Sequence, residues 1–292
     1  MAERVWTIAD ILAWTADFFQ LHGIESPRLD AEVLLAAVLD RDRMYLYVHF
    51  DEPLEPEELA QFRSYVKERA AHVPLAYVLG RREFMGLGFR VTRDTLIPRP
   101  DTEILVQCAV DFLRARREAG ETACTIADVG TGTGAIALST LRYTEGTRAD
   151  AVDISSAAAA VARDNAEMLG LTERVEIHVG DLLAPLAGRR YDMILSNPPY
   201  IPTADIATLM PEVRAYEPHL ALDGGADGLN IYRRLMSEAP ALLKDGGAIA
   251  VEVGIDEARA VAALAMTHPR IVRTEILKDL GGIERVVVGY TV

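Results

Sequence analysis

Cysteine is scarce in this chain. Cys108 and Cys124 are the only two in 292 residues, too few for a disulfide framework, and their spacing fits no zinc site. Histidine is sparse too. The six (His22, His49, His72, His178, His219, His268) include no i, i+4 pair, so each reads as a surface or packing residue and no metal is expected. Positive charge is in deficit, with 30 Lys and Arg against 44 Asp and Glu, a formal net charge of −14. That argues against a protein that wraps nucleic acid unaided, because phosphate binding needs concentrated cations, although a local basic patch stays compatible. No uninterrupted apolar run approaches the length of about 20 residues needed to span a membrane. The opening Met1-Ala2-Glu3-Arg4-Val5-Trp6 has no apolar signal-peptide core. A cytoplasmic enzyme is expected, or an organellar one without its transit peptide. There is no internal repeat, and no low-complexity tract beyond Ala157–Ala160, which falls in a helix.

What is present has the balance of a globular protein, half hydrophobic and a quarter charged, and is long enough for one large or two modest domains. Residues 1–80 show helical patterning only. Thr7 with Asp10 forms a capping-box pattern, and Ile8, Ile11, Leu12, Thr15, Phe18 and Phe19 make a stripe at helical spacing. Gly23 ends that helix, and Ser26-Pro27 opens the next. Met44–Val48, Glu55–Ala71 and Pro74–Leu79 are further helices. This segment holds seven basic and fourteen acidic residues, a net of −7, which argues against a DNA-binding module. Its role is structural, or it docks a protein partner. Residues 81–100 differ. Phe84–Val91 reads as a glycine-broken hairpin, and Arg81, Arg82, Arg90, Arg93 and Arg99 face only Glu83 and Asp94, a net of +3. This is either a solvated linker or a rim that meets an anionic partner. A helix over Thr102–Ala119 follows.

From Cys124 strands and helices alternate, the pattern of an α/β sheet. Strands are expected over Thr125–Val129, Ala149–Asp153, Val175–Val179, a run from Tyr191 ending on Asn197, Ala248–Val253, Ile271–Lys278 and Glu284–Gly289. Helices fall at Ala135–Arg142, Ser155–Gly170, Leu229–Lys244 and Glu257–Thr267, with a long loop over Ile201–Asp227. The last two strands are joined by a short turn at Gly281-Gly282. Such a turn makes an antiparallel pair, so one reversed strand is expected at the end of a mostly parallel seven-stranded Rossmann-like sheet.

The chemistry-bearing residues gather at strand carboxyl ends, where open α/β sheets bind ligands. Gly130-Thr131-Gly132-Thr133-Gly134 joins a strand to a helix. Its glycines allow a tight turn and a close approach to a ligand, or serve only the turn. With Ala135 the string also fits a dinucleotide pattern, as in a NAD-dependent dehydrogenase, but that reading gives the later Asn197–Tyr200 no role. Asp153 is placed to take ribose hydroxyls; alternatively it is a helix N-cap, a job for which Ser155 competes. Asp181 could accept from an adenine amino group with Leu182 packed on the ring, or it caps a turn after Gly180. Asn197-Pro198-Pro199-Tyr200 ends its strand by necessity, since proline lacks the ladder N–H and forces its predecessor into extended geometry. Alone, that string is an ordinary turn. Four such positions on one edge point to a nucleoside site.

Together these residues resemble a class I S-adenosylmethionine-dependent methyltransferase. Asn-Pro-Pro-Tyr resembles the motif of enzymes that methylate planar nitrogens, in base amino groups or in the glutamine side chain. An amide nitrogen is a poor nucleophile. The Asn197 side-chain oxygen and the Pro198 carbonyl, each holding one N–H, would aim it at the sulfonium methyl and stabilise its developing charge, with Tyr200 stacked on the planar group. No strong base is needed, because the methylated, protonated amide is very acidic. Pro74-Leu75-Ala76-Tyr77, Glu83-Phe84, Ile97-Pro98-Arg99-Pro100-Asp101-Thr102-Glu103, Tyr216-Glu217-Pro218, Gly224–Gly228 and Gly281–Arg285 extend the likeness over essentially the whole chain. It resembles the release factor glutamine methyltransferase family (PrmC, also called HemK). The resemblance implies methylation of the side-chain amide nitrogen of the glutamine in the Gly-Gly-Gln motif of class I peptide chain release factors. S-adenosylmethionine, leaving as S-adenosylhomocysteine, would be held by Gly130–Gly134, Asp153, Asp181, Leu182 and Asn197. The glutamine would be held by Asn197–Tyr200, with Arg99 and Glu103 near the substrate entrance, or else paired to hold the domain junction. The family often carries an aromatic residue after the aspartate; Leu182 departs from this, which bears on adenine stacking and not on the fold. The expected organisation is a docking domain over 1–80, a hairpin linker over 81–100 and a methyltransferase domain over 101–292. A monomer with no nucleic-acid substrate is expected. The alternatives are an adenine N6 or guanine N2 methyltransferase, which usually brings a basic recognition domain, and a non-catalytic interaction protein that keeps the fold.

Overall fold

The computed structural model describes residues 5–292; Met1–Arg4, the start of the stretch read above for a targeting signal, lie outside them. In chain order the helices α1 (Ile8–Leu21), α2 (Pro27–Val38), α3 (Arg43–Val48), α4 (Pro56–Ala70) and α5 (Leu75–Leu79) lead into a hairpin of β1 (Arg81–Phe84) and β2 (Leu87–Arg90). Then come α6 (Glu103–Glu118), β3 (Cys124–Val129), α7 (Ala135–Tyr143), β4 (Thr147–Asp153), α8 (Ser156–Met168), β5 (Val175–Val179) and β6 (Tyr191–Ser196). The short elements β7 (Ile201–Pro202), α9 (Pro211–Tyr216) and β8 (Asp223–Gly225) precede α10 (Asn230–Glu238), β9 (Leu243–Glu252), α11 (Ala258–Met266), β10 (Ile271–Lys278) and β11 (Glu284–Thr291). Two compact units result. One runs to Gly80 and takes in Met210–Tyr216; the other is Arg81–Leu209 with Glu217–Val292.

The second unit is built on a seven-stranded sheet of order β10-β11-β9-β6-β3-β4-β5. The five strands β9, β6, β3, β4 and β5 are parallel, and β11 runs antiparallel to both neighbours. The reversed strand is therefore the last in sequence, but it lies inside the sheet, with β10 at the edge. Composition explains the order. Val286, Val287 and Val288 of β11 are fully buried, whereas β10 alternates with Arg273, Glu275 and Lys278 and suits an edge. Successive β11 valines serve opposite faces: Val286 and Val288 join the cluster of Ile126, Met193 and Leu195, and Val287 joins that of Val129, Ile194 and Val251.

Three expectations shift. The helix expected over Leu229–Lys244 stops at Glu238, because Pro240 lacks the N–H that continues the ladder; a 3-10 turn over Ala239–Leu242 feeds directly into β9. The segment 201–227 is not one loop: β7 and β8 pair within it, and α9 lies between them. The hairpin is not a linker. Phe84 and Phe89 are buried in the sheet unit's core, Glu103 Oε1 accepts the Met85 N–H at 2.9 Å, and the Tyr143 hydroxyl donates to Met85 O at 2.6 Å. Of the hairpin arginines, Arg90 pairs with Asp164, while Arg81 and Arg82 are exposed.

The helical unit begins on the capping box of Thr7 and Asp10 and buries Ile8, Ile11, Leu12, Thr15 and Phe19. Phe18 is only half-buried; it packs against this cluster from its margin and stacks on Trp14. Pro27 takes the first turn of α2, but the Ser26 side chain makes no capping bond. Arg69 of α4 ties the unit together. It is 4% exposed, and its guanidinium donates to Asp30 Oδ2 at 2.7 Å, Val73 O at 3.2 Å and Glu212 Oε1 at 2.6 Å. Burial raises the Asp30 carboxyl above its usual range despite the guanidinium beside it. Removing one partner of a buried pair costs about 3–5 kcal/mol, since the other charge stays in the low-dielectric interior. Arg69→Met is expected to destabilise the helical unit by that order in urea unfolding, and Arg69→Met with Asp30→Leu to recover part of it. A single variant indistinguishable from the parent would show that the pair contributes nothing.

Candidate functional site

Strand order reverses beside β3. The chain proceeds from β3 to β4 and β5 on one side and reaches β6 and β9 on the other, which leaves the carboxyl ends of β3 and β6 adjacent. After β3, the Gly130 and Thr131 amides donate to Val152 O at 2.8 and 2.9 Å, turning the chain across the end of β4. Gly132 and Gly134 have φ of +55° and +81°, which side chains rarely adopt; at Gly134, the cap of α7, a Cβ would also lie 2.9 Å from Leu138 Cδ1.

Asp153 ends β4 and braces this loop. Its Oδ2 accepts the Gly132 N–H at 2.8 Å, and Oδ1 accepts the Ser155 N–H at 2.9 Å. Ser155 caps α8, so Asp153 is not needed as the cap. Burial raises the Asp153 carboxyl in spite of both amides. Beneath the loop sits Asp128, which sequence reasoning missed. It is fully buried, and its Oδ2 accepts from the Thr131 hydroxyl at 2.6 Å and the Ala137 N–H at 3.1 Å, while Oδ1 has no partner. Burial pushes its pKa up to about 6. The signal was available: an acidic residue in an otherwise apolar buried strand, two positions before a glycine loop.

At the end of β5, Asp181 does not cap a turn alone. Arg234 of α10 donates to both its carboxylate oxygens, at 3.1 and 2.8 Å, and holds the carboxyl below its usual range. Leu182 beside it has a φ of +45°, an uncommon conformation for a branched side chain. At the end of β6, Asn197 donates from Nδ2 to Thr102 Oγ1 at 3.2 Å. The same corner holds Glu252, the last residue of β9, which is 3% exposed and was also missed. Burial drives its pKa up to about 7 against the pull of Thr102 and Asn197, and its Oε2 has no partner.

A cavity of about 380 Å³ joins these strand ends. Gly130, Thr131, Gly132, Thr133, Asp153, Asp181, Leu182, Asn197, Pro198 and Pro199 all line it, as does Arg99, and Thr102 and Arg234 complete its wall. Three expected residues are not on that wall. Gly134 lies behind it as the cap of α7. Tyr200 packs with the apolar cluster of β9 and α10, against Gly254, where an added Cβ would lie 3.0 Å from its ring; burial pushes its hydroxyl up to about 12. Glu103 is committed to the hairpin through Met85. Arg99 and Glu103 do not form the pair considered above: Arg99 bonds to Glu217, whose side chain is 1% exposed.

Apolar surface from Leu182 and Ile154 and the Asp153 carboxylate at the end of β4 share this cavity with Asn197 and Pro198. Family models agree with this architecture: PrmC N-terminal domain matches residues 10–80, and Methyltransferase small domain matches 104–212. The chain is 45% identical over 291 residues to the release factor glutamine methyltransferase of Geobacter sulfurreducens, covering 99% of both chains. It is 45% identical to the protein of the same name from Moorella thermoacetica, covering 92% of this chain and 93% of that one. Among solved structures, the N-terminal domain of human METTL16 in complex with SAH has a TM-score of 0.54 at 17% identity, covering 76% of this chain and 82% of that one. A methyltransferase from Pyrococcus furiosus has a TM-score of 0.51 at 15% identity, covering 81% and 98%. At such identities these two show the fold alone.

The buried Asp128 makes stability depend on pH with a definite sign. Its folded pKa, about 6, exceeds the usual 3.8, so the folded state holds the proton more tightly. The resulting stabilisation is full below about pH 4 and is lost as pH rises to about 6, by the order of 3 kcal/mol. Asp128→Asn, which keeps an acceptor for Thr131 and Ala137, is expected to flatten the fall of the urea midpoint across that window. Equal slopes in both proteins would mean that Asp128 titrates normally.

Proposed function

We propose, for a chain that belongs to the release factor glutamine methyltransferase family, that it transfers a methyl group from S-adenosylmethionine to a glutamine side-chain amide nitrogen of a peptide chain release factor. The observation that carries the reading is the Asn197 corner. With Nδ2 given to Thr102, the Asn197 side chain keeps Oδ1 as its acceptor, beside the Pro198 carbonyl, at the wall of a nucleoside-sized cavity. The cofactor fits the donor set present: the Asp153 carboxylate suits a ribose diol, and Leu182 and Ile154 give an apolar surface to the purine. Asp181 retains lone pairs for an amino group even with both oxygens on Arg234.

When bound, the cofactor supplies an electrophilic methyl on sulfur. The protein's task is to make a weak nucleophile react. Asn197 Oδ1 and the Pro198 carbonyl each accept one substrate N–H, which fixes the nitrogen and favours positive charge developing on it. Apolar walls and the two prolines keep competing water away. A strong base is not required, because the methylated amide cation sheds its proton readily. Tyr200, packed behind the corner, acts by holding the Pro198-Pro199 turn rather than by stacking on the amide. Gly-Gly-Gln of class I release factors is the substrate motif on this reading, the helical unit docks the protein that carries it, and the enzyme works as a cytoplasmic monomer. No described helix is long and apolar enough to cross a membrane.

Mass spectrometry after incubation with isotopically labelled S-adenosylmethionine tests the substrate class: label is expected on release-factor glutamine, and label on tRNA, rRNA or DNA instead would replace this reading with base methylation. Asn197→Ala is expected to lower kcat by about a hundred-fold or more while S-adenosylhomocysteine affinity changes little; a kcat within a few-fold of the parent would remove Asn197 from the mechanism. Asp153→Ala is expected to weaken S-adenosylhomocysteine binding at least ten-fold in calorimetry, and unchanged affinity would overturn the ribose assignment.

A further inference from the structure

The mechanism above leaves one buried group without a task. Glu252 ends β9, and the parallel register that pairs Ser196 with Val251 sets the next residues, Asn197 and Glu252, side by side. The Glu252 backbone is anchored on two sides: its carbonyl accepts from the Tyr232 hydroxyl at 2.8 Å, and Val286 of β11 is its antiparallel partner. Its side chain does not line the cavity. It lies behind the wall, where the Thr102 hydroxyl and the Asn197 amide face its carboxyl group. The other charged or titratable groups acting there are Asp101 before α6, Arg285 on β11, Tyr200 after β6 and Tyr232 on α10. Arg285 does not neutralise Glu252, because its guanidinium is committed to Asp101 at 2.8 Å and Asp279 at 3.0 Å. The buried Oε2 has no partner of its own. A buried polar atom left unpaired costs stability, so an apolar residue would serve the fold better at this place.

Resting on the glutamine-methylation reading, we propose that Glu252 is a positioning residue for the reaction: with Thr102 it holds the Asn197 amide in the one orientation that presents Oδ1 to the substrate, and its charge polarises that amide. An asparagine can rotate by half a turn about its last bond and present Nδ2 instead. In that orientation it would offer donors to a substrate NH2 group that also has only donors. Two acceptors on the inner side, the Thr102 hydroxyl oxygen and the Glu252 carboxylate, remove the ambiguity. A carboxylate behind an amide N–H also increases the negative charge on the amide oxygen, as hydrogen bonds in series strengthen one another. That gain grows as positive charge develops on the substrate nitrogen, so it belongs to the transition state more than to binding.

The test compares Glu252→Gln and Thr102→Val with the parent on the intact protein and a release factor substrate. Glu252→Gln is expected to lower kcat about ten-fold or more, with KM for the release factor and affinity for S-adenosylhomocysteine both within about two-fold. Its melting temperature at pH 8 is expected to be no lower than the parent's, because the folded state penalises the charged carboxyl and glutamine removes that charge. The parent's kcat is expected to fall as pH drops through about 7, where Glu252 takes up its proton, and this limb is absent in Glu252→Gln. Thr102→Val, which removes the partner without touching Glu252, is expected to lower kcat in the same way. Full kcat in both variants would overturn the proposal, as would losses of kcat, cofactor affinity and melting temperature in proportion. An inactive Asn197→Ala beside a fully active Glu252→Gln removes only the role of Glu252. A parent that labels no release-factor glutamine removes the underlying reading as well.

Discussion

A parallel sheet wound outward in two directions must leave two neighbouring strand ends with no connection passing between them, and this constraint governs the site. Here the open ends are those of β3 and β6. The chain after β3 turns over β4 through glycines at positive φ, which keeps side chains out of the crevice. The chain after β6 is stopped by two prolines, which leaves the carbonyls and the Asn197 amide at the strand end without ladder partners. Both halves of the site are thus consequences of how a strand is ended. Loop chemistry decides what occupies the space, and the sheet decides where the space is.

Whether a feature was legible in the sequence depended on how far along the chain its causes lay. The Thr7 cap, the glycine loop, the strand end at Asp153 and the Asn-Pro-Pro stop are each written within a few residues of sequence, and the last three line one cavity. The inward placement of β11 depends on competition between two strands for burial, which a local turn at Gly281-Gly282 cannot report. The motif resemblance puts Tyr200 on the substrate side, yet its ring packs against Gly254, 54 residues away, where a side chain would crowd it. Glu103, expected with Arg99 near the substrate entrance, accepts a hairpin amide instead. Thr102, Glu217 and Glu252 join the site region only through tertiary pairing, whereas Asp128 is legible as a lone acid in a buried strand just before the glycine loop.

The electrostatics of the site have a common cause. Asp128, Asp153 and Glu252 come from the ends of three strands, and burial raises each of them. Their cost to stability at neutral pH is the kind of local strain that persists where chemistry needs it. Burial favours the neutral, protonated form of each, so the charge beneath the cavity depends on pH. Of the basic residues on the cavity wall, Arg99 is engaged by Glu217 and Arg234 by Asp181.

One feature of the helical unit reaches beyond the folded state. Its ion-pair centre, Arg69, takes one partner from α2 and another from α9, which the chain reaches only after more than a hundred residues of the sheet unit have been laid down. A ribosome making this protein from its N-terminus releases α1 to α5 early, but with Arg69 still missing Glu212. The first unit to emerge is therefore not complete until well into the synthesis of the second. Its final locking waits on synthesis of β3 to β7, which ties the maturation of the helical unit to the appearance of the strands that carry the site.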